Sequence, residues 1–450
     1  MKTMKFLSLA ALALTFAACS SNDDELTQLP AEQPANNNMI TITAKLAPKS
    51  GIAKTRAVSD DGTNIVVDWA ANEHIAILYT VGSDKKVADA TITDVDGSGV
   101  ATISFTVESG TPDGTACKLV YPAVLSDGTT TVYNDDKDDA KAYGNILREQ
   151  NGALSTDLDI RVGAGTIQTT TPSLTVTTQP EPQYSIFKFT LQNLSSTALS
   201  VSTFVISDGG GTYTTVTPTT ATSELYVALP QLHADTYWFK ATATADSKYI
   251  AKATVGTATS VGTYYQSTVK MATIGDVIKA DGKFYAAGTE DAVAKICYVG
   301  SETAEAAYGF NHGLALALSD ANGGSTCMWN TSATDAGHTK QTSSTFTEES
   351  GLQYNDATHN SDTYPAFKAA ITYSPAAPTG CSAWFLASGY QWQKMISAAG
   401  LSNLGLSENA VYWSSTEQSA VYAWWLYSND GSWSPNNKDY VYRVRACLAF

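Results

Sequence analysis

Asp335 with His338, and Asp356 with His359, are the residues in this chain best equipped to hold a metal or move a proton. Neither set has the i, i+4 spacing that puts two imidazoles on one helix face, and no H-E-x-x-H occurs. All four therefore read as solvated loop side chains, and no metal site is expected. His74, His233 and His312 are scattered elsewhere. Nucleophilic chemistry has no better footing: there is no G-x-S-x-G, and Cys117, Cys297, Cys327, Cys381 and Cys447 include no C-x-x-C. With 43 acidic residues a glycosidase-like carboxylate pair can always be drawn, so that count decides nothing. No catalytic residue and no cofactor is expected, and the chain reads as a non-enzyme.

Binding chemistry is better represented. Trp425, Tyr427 and Trp433 flank the turn Asn429-Asp430-Gly431, and Asn436 and Asn437 follow Pro435. Aromatic faces stack on sugar rings, and amides and carboxylates bond to sugar hydroxyls. Trp425, Tyr427, Asp430, Trp433, Asn436 and Asn437 thus form a candidate ligand-binding set, against the plainer reading that the aromatics are core. A net charge of −16 argues against nucleic acid, whose phosphates need a basic face, and against acidic lipid.

The elements that would carry these residues are mostly strands. Met39–Leu46 alternates, with Ile40, Ile42, Ala44 and Leu46 on one face and Thr41, Thr43 and Lys45 on the other, as a half-buried strand does. Strands are also expected at Ile65–Val67, Ile75–Tyr79, Ala101–Val107 and Lys118–Tyr121, spaced as in a sandwich. A second β block begins after Pro180 and Pro182, with strands at Ile186–Leu191, Ser202–Ile206, Leu225–Leu229, Tyr237–Ala243 and Tyr249–Val255. From Ile274 the character changes: seven of the nine tryptophans lie beyond it. Ser388 and Gln391 have capping-box spacing, Trp392, Met395, Ile396 and Ala399 follow at helical intervals, and Gly400 ends the run. A second short helix is expected at Tyr364–Ala370. A closing strand is expected over Tyr440–Leu448, with Tyr440, Tyr442, Val444, Ala446 and Leu448 inward and Val441, Arg443, Arg445 and Cys447 outward. Cys117 is expected to be a buried free thiol.

Lys2 and Lys5 precede the uncharged apolar stretch Phe6–Phe16, which is too short for a permanent membrane helix and reads as a signal-peptide core. The following Phe16-Ala17-Ala18-Cys19 resembles the lipobox of bacterial lipoproteins. That resemblance implies a signal peptide over 1–18, lipid chains on Cys19, a tether over 19–38 and a membrane lipid anchor before maturation. Lys54-Thr55-Arg56-Ala57, then Val67-Asp68-Trp69 and Ile75-Ala76-Ile77-Leu78-Tyr79, resembles the start of a Bacteroidales-type fimbrillin, with Asn72-Glu73 where that family has Gly-Asp. The family's subunits are two-domain β proteins. A protease cut after an arginine removes their first strand, and a strand donated by the next subunit refills the groove. The resemblance implies cleavage between Arg56 and Ala57, loss of Met39–Leu46, and other pilus subunits as partners.

The last third resembles a second family. Ile274-Gly275-Asp276, Ala294–Val299, Gly313–Leu316, Trp384-Phe385-Leu386, Tyr412–Glu417 and Tyr442–Arg445 follow the order of the Fibrobacter-type major paralogous domain, a C-type-lectin-like fold related to formylglycine-generating enzymes. Those catalytic relatives use two cysteines close together near the chain end, whereas Cys447 stands alone there. The resulting expectation is a mostly β chain: two β-sandwich fimbrillin-like domains (39–178 and 179–273), followed by an α+β C-type-lectin-like domain (274–450). Its function would be that of a cell-surface pilus subunit, a tip adhesin that accepts a donor strand and presents its C-terminal domain to a host glycan or protein. The alternative is an outer-surface lipoprotein that stays anchored in the outer membrane and binds without polymerising.

Overall fold

The computed structural model describes residues 39–49, 59–60, 65–208, 211–243, 247–301 and 303–450. The chain is mostly β. Its first sheet is made of β1 (Met39–Leu46), β2 (His74–Val81), β3 (Asp84–Val95), β4 (Ala101–Glu108), β5 (Thr115–Tyr121), β6 (Arg161–Gln168) and β7 (Ser173–Pro182), in the order β1-β4-β3-β2-β5-β6-β7. The alternation that identifies β1 is realised: Ile42 and Leu46 are fully buried in a core with Trp69, Ile75, Ile77, Phe105 and Leu119. β3, β6 and β7 lack that signal. β3 opens on the polar run Asp84-Lys85-Lys86, and β7 carries Pro180 and Pro182, which an edge strand tolerates because it needs no donor on its outer side. β6 contains Gly163 and Gly165 because β7 crosses it closely: a Cβ on Gly163 would sit 2.8 Å from the Thr178 carbonyl oxygen. A boundary at residue 178 therefore falls inside β7, which stays in the first sheet to Pro182.

The second block holds β8 (Ser185–Asn193), β9 (Val201–Ser207), β10 (Thr212–Val216), β11 (Glu224–Leu229), β12 (Thr236–Ala243), β13 (Lys248–Thr254) and β14 (Tyr264–Thr273). Their order is β11-β8-β14-β13-β12-β9-β10, extended at the β10 edge by the short strand Glu149–Gln150. The link between β14 and β13 is only two residue pairs, at Tyr249–Thr273 and Ile250–Ala272. Phe189, Phe204, Val227, Tyr237, Phe239 and Met271 fill the core between the leaves. β8 and β14 run parallel over eight residue pairs, from Ile186–Tyr264 to Asn193–Met271.

The last third is α+β. Its main sheet has β15 (Val277–Lys279), β16 (Phe284–Tyr285), β17 (Ala292–Val299), β18 (Gly313–Ala317), β20 (Phe385–Leu386) and β25 (Ala446–Ala449), ordered β16-β15-β17-β18-β25-β20. β19 (Cys327–Met328) pairs with β24 (Val441–Tyr442), and β21 (Val411–Glu417), β22 (Tyr422–Tyr427) and β23 (Trp433–Asn437) form a meander. Helices α1 (Pro365–Ile371) and α2 (Gly389–Ala399) lie against this framework. Both halves of the α2 capping box form, and Gly400 leaves the helix at φ 77°.

The closing strand departs from expectation. Tyr440–Leu448 is two strands, not one: β24 ends at Tyr442 and β25 begins at Ala446. Between them Arg443 and Arg445 both turn to Asp320. β25 is paired on both edges, by β18 and β20, and covered on both faces: Ala446 and Leu448 lie in one buried cluster and Cys447 and Ala449 in another, Arg445 just before it is buried too, and Tyr440 is half exposed. The five cysteines of the described residues are free thiols, Cys117 buried as expected. The third block is also not insulated from the second. Ile250 and Ala272 belong to the same buried cluster as Trp329, Phe367 and Trp413, and Trp238 stacks on His312 with ring centroids 3.7 Å apart.

Candidate functional site

β1 is an edge strand. All eight of its residues pair with β4, from Met39–Glu108 to Leu46–Ala101. The sheet curls until its far edge, β7, lies beside β1, yet no backbone pairing joins the two among the described residues. β1 therefore fills a seam between β4 and β7 and is bonded on one side only. Its inward side chains are the apolar lining of that seam: Ile42 and Leu46 buried outright, Ile40 and Ala44 partly so. At roughly 1.5–3 kcal/mol for each fully buried aliphatic side chain, Ile42 and Leu46 alone contribute an amount comparable to the stability of a marginal domain.

Just beyond β1 the chain is pinned. The Ala47 carbonyl accepts a hydrogen bond from Trp69 Nε1 at 2.9 Å, and the Ala47 amide donates to Gln179 Oε1 of β7 at 3.1 Å. Lys49 then turns inward. Its ammonium lies 3.7 Å from the centre of the Tyr121 ring, 4.4 Å from that of Trp69, and 3.0 Å from Asp159 Oδ2. This is an ion pair without an aligned N–H···O bond. The other Asp159 oxygen accepts from Arg161 Nε at 2.8 Å, and Tyr121 donates to Glu73 Oε1 at 2.8 Å. Burial lowers the Lys49 pKa from its ordinary value, against the opposing pull of Asp159 and Glu73.

Cys19, Arg56 and Ala57, where lipidation and proteolytic maturation are expected, lie outside the described residues. The ligand-binding set does lie within them, on the β22–β23 hairpin, where it divides between two faces. Trp433 pairs with Leu426 and packs edge-on against Phe346, ring centroids 4.8 Å apart. Trp425 and Asn436 are on the opposite face with Tyr442; Asn436 Nδ2 donates to the Tyr442 hydroxyl at 2.6 Å. Asp430 is exposed and accepts the Ser432 amide, closing the turn, and the Asn437 amide donates to Asn436 Oδ1. Tyr427 joins a polar group that spacing does not reveal. Its hydroxyl is 3.4 Å from Asn409 Oδ1, and Asn409 and Asn429 bond to each other at the rim of a depression of about 710 Å³ lined also by Glu408 and Ser428.

The histidines are the largest surprise. His338 and His359, expected in solvent, are buried and touch, with Nε2 to Nε2 2.8 Å apart. His338 stacks on Tyr354 at 3.6 Å between centroids. Acceptors close both ends: Ser415 O is 3.1 Å from His338 Nδ1, and Asp356 Oδ1 2.9 Å from His359 Nδ1. Across the Nε2–Nε2 contact one ring donates and the other accepts. Nearby, Glu417 accepts from Lys438 Nζ and from the amides of Ala336 and His338, which fastens the loop ahead of α1 to β21. Pairings some 20 to 80 residues apart leave no local spacing to read.

Burial pushes the pKa of His338 and of His312 down to about 3; Lys240 and Lys252 reinforce it at His312, and the charges of His359 and Lys438 at His338. The native state thus favours both imidazoles neutral. Their contribution is complete above the ordinary value of 6.5 and is lost as pH falls from there toward 3. Thermal melts between about pH 7 and about pH 4.5 should show a falling midpoint, and His338→Gln should flatten that slope. An unchanged slope in the variant would count against this account.

No family model and no curated protein sequence matches this chain. Among solved structures, it is similar to a fimbrial protein from Bacteroides ovatus ATCC 8483 at 14% identity and TM-score 0.32, over 92% of this chain and 100% of that one. It is also similar to a fimbrial assembly protein from Parabacteroides distasonis ATCC 8503, at 11% identity and TM-score 0.29 over 51% and 90% of the two chains. A shaft pilin from Lactobacillus rhamnosus GG aligns at 11% identity and TM-score 0.23, over 53% and 99%.

Proposed function

We propose that this chain is a non-enzymatic subunit of a cell-surface filament, whose first block accepts a strand from a neighbouring subunit in place of β1. The observation that carries the reading is the seat of β1, a full-length strand bonded on one side only and filling an apolar seam. Such a seam is costly when empty and takes any strand of matching alternation. In this reading the chain is exported on its lipobox, anchored through Cys19 at the outer membrane, and cut between Arg56 and Ala57, after which β1 leaves. In this reading the chain sits at the filament tip, and β25, central and buried, stays in its own sheet. There the third block would meet a host glycan or protein through the exposed part of the hairpin, Tyr427 and Asp430 with Asn429. The other members of the set, Trp425, Trp433, Asn436 and Asn437, would frame that face.

A second reading has its own support. Lys49 and Ala47 pin the chain after β1 to the rest of the block, which suits a lipoprotein that keeps β1 and stays anchored. Mass spectrometry of protein taken from cells separates the two. Ala57 at the N-terminus is the expected result, and acylated Cys19 on all of the protein would overturn the filament reading.

A further inference from the structure

The walls around the Lys49 ammonium belong to a different part of the chain from Lys49 itself. Trp69, Tyr121, Asp159 and Arg161 all follow residues 50–64, whereas Lys49 precedes them. A chain break anywhere in 50–64 makes β1 and Lys49 one removable piece and leaves the walls behind. What remains is two aromatic rings and the Asp159 carboxylate, which is 4% exposed while Lys49 covers it. With Lys49 gone, the charges that acted on it among the described residues are Asp159 and Glu73, negative, and Arg161, positive, a net of minus one. A buried site of that composition calls for one cation, held by ring faces and carboxylate together.

We propose that Trp69, Tyr121 and Asp159 form a cation socket that selects an incoming strand by a lysine or arginine three residues beyond its last buried apolar side chain. The spacing is that of Leu46 to Lys49 in this chain. The inference rests on the strand-acceptor reading above and adds a rule of partner choice to it. Alternating apolar residues fit the seam of many sheets, so they discriminate poorly between donors. The socket discriminates, because a neutral residue there leaves Asp159 short of a partner, and an acidic one adds a second buried negative charge. Register is set as well: a strand slipped by two residues keeps its apolar face inward but withdraws its cation.

The test uses the full chain with a specific protease site placed between residues 50 and 64. After cleavage the protein is unfolded in urea and refolded with an excess of fluorescent peptide corresponding to residues 39–49. Peptides carrying Lys49→Arg, Lys49→Ala or Lys49→Glu are compared, so that no substitution is made in the folding partner. The parent and arginine peptides should be retained, the alanine peptide should bind at least roughly tenfold more weakly, and the glutamate peptide should fail. Equal binding of the parent and alanine peptides would overturn the socket and leave the acceptor groove standing. Failure of every peptide would overturn the groove, and the socket with it.

Discussion

Asp320→Ala should cost about 3–5 kcal/mol, the range for removing one partner of a buried ion pair, and lower the melting midpoint of the C-terminal block by roughly 10 °C or more. Asp320 accepts hydrogen bonds from Arg445 Nε and Arg443 Nη1, each at 2.9 Å, and from the hydroxyls of Tyr412 and Ser407. Burial works to raise its pKa, but Arg445 and these hydroxyls outweigh it and hold the carboxyl below its ordinary value. Removing it strands the Arg445 guanidinium, which is 3% exposed, in the interior. The loss should reach beyond the pair, because Arg443 and Arg445 set the break between β24 and β25 and so the seat of β25. Tryptophan fluorescence suits the measurement, since seven of the nine tryptophans are in this block. Asp320→Asn, which keeps the shape and loses the charge, should recover little. A midpoint within about two degrees of the parent would mean that the Ala317 and Gly405 carbonyls, which also accept from Arg445, suffice alone.

Leu46→Asp should detach β1. Leu46 is fully buried at the last position of the strand, opposite Ala101, in the apolar cluster that also holds Trp69 and Phe105, and a carboxylate there would be buried among apolar side chains. Burying that charge costs more than the strand's apolar contacts return, so the strand leaves, at a loss of about 3 kcal/mol or more. Hydrogen exchange should then show the alternate β4 amides that point toward β1 losing protection, while those paired with β3, and the amides of β5 and β6, keep theirs. Lys45→Asp is the control, because Lys45 is exposed on the other face and should change neither protection nor melting. Full protection of β4 in Leu46→Asp would show that the seam does not depend on this strand.

Much of the strand framework was legible because half-buried strands write their burial into a two-residue period. β1, β4 and β12 each bury alternate residues and appear within a residue or two of their expected bounds. α2 was legible for a different reason, in that Ser388 and Gln391 bond each other's backbone within a single turn. The period fails where both faces are covered. β25 buries every residue and Arg445 just before it is buried as well, so an alternating reading of the segment assigns Arg445 and Cys447 to the wrong side. It fails again where close backbone approach replaces side chains, as at Gly163 and Gly165 of β6. The site was half legible. The apolar face of β1 could be read directly, but the Lys49 socket joins residues 69, 121 and 159, and the His338–His359 contact joins two loop positions of unremarkable spacing. Long-range polar pairing carries no periodic trace.

The parallel pairing of β8 with β14 decides how the chain bears load. A pull between the first block and the third enters β8 at its beginning, Ser185, and leaves β14 at its end, Thr273. In parallel neighbours those two points lie at opposite ends of the pair, so tension slides one strand along the other. All eight residue pairs resist together, instead of parting one at a time as they would if both strands were drawn from the same end. A pull between those two points therefore loads the β8–β14 pair in shear.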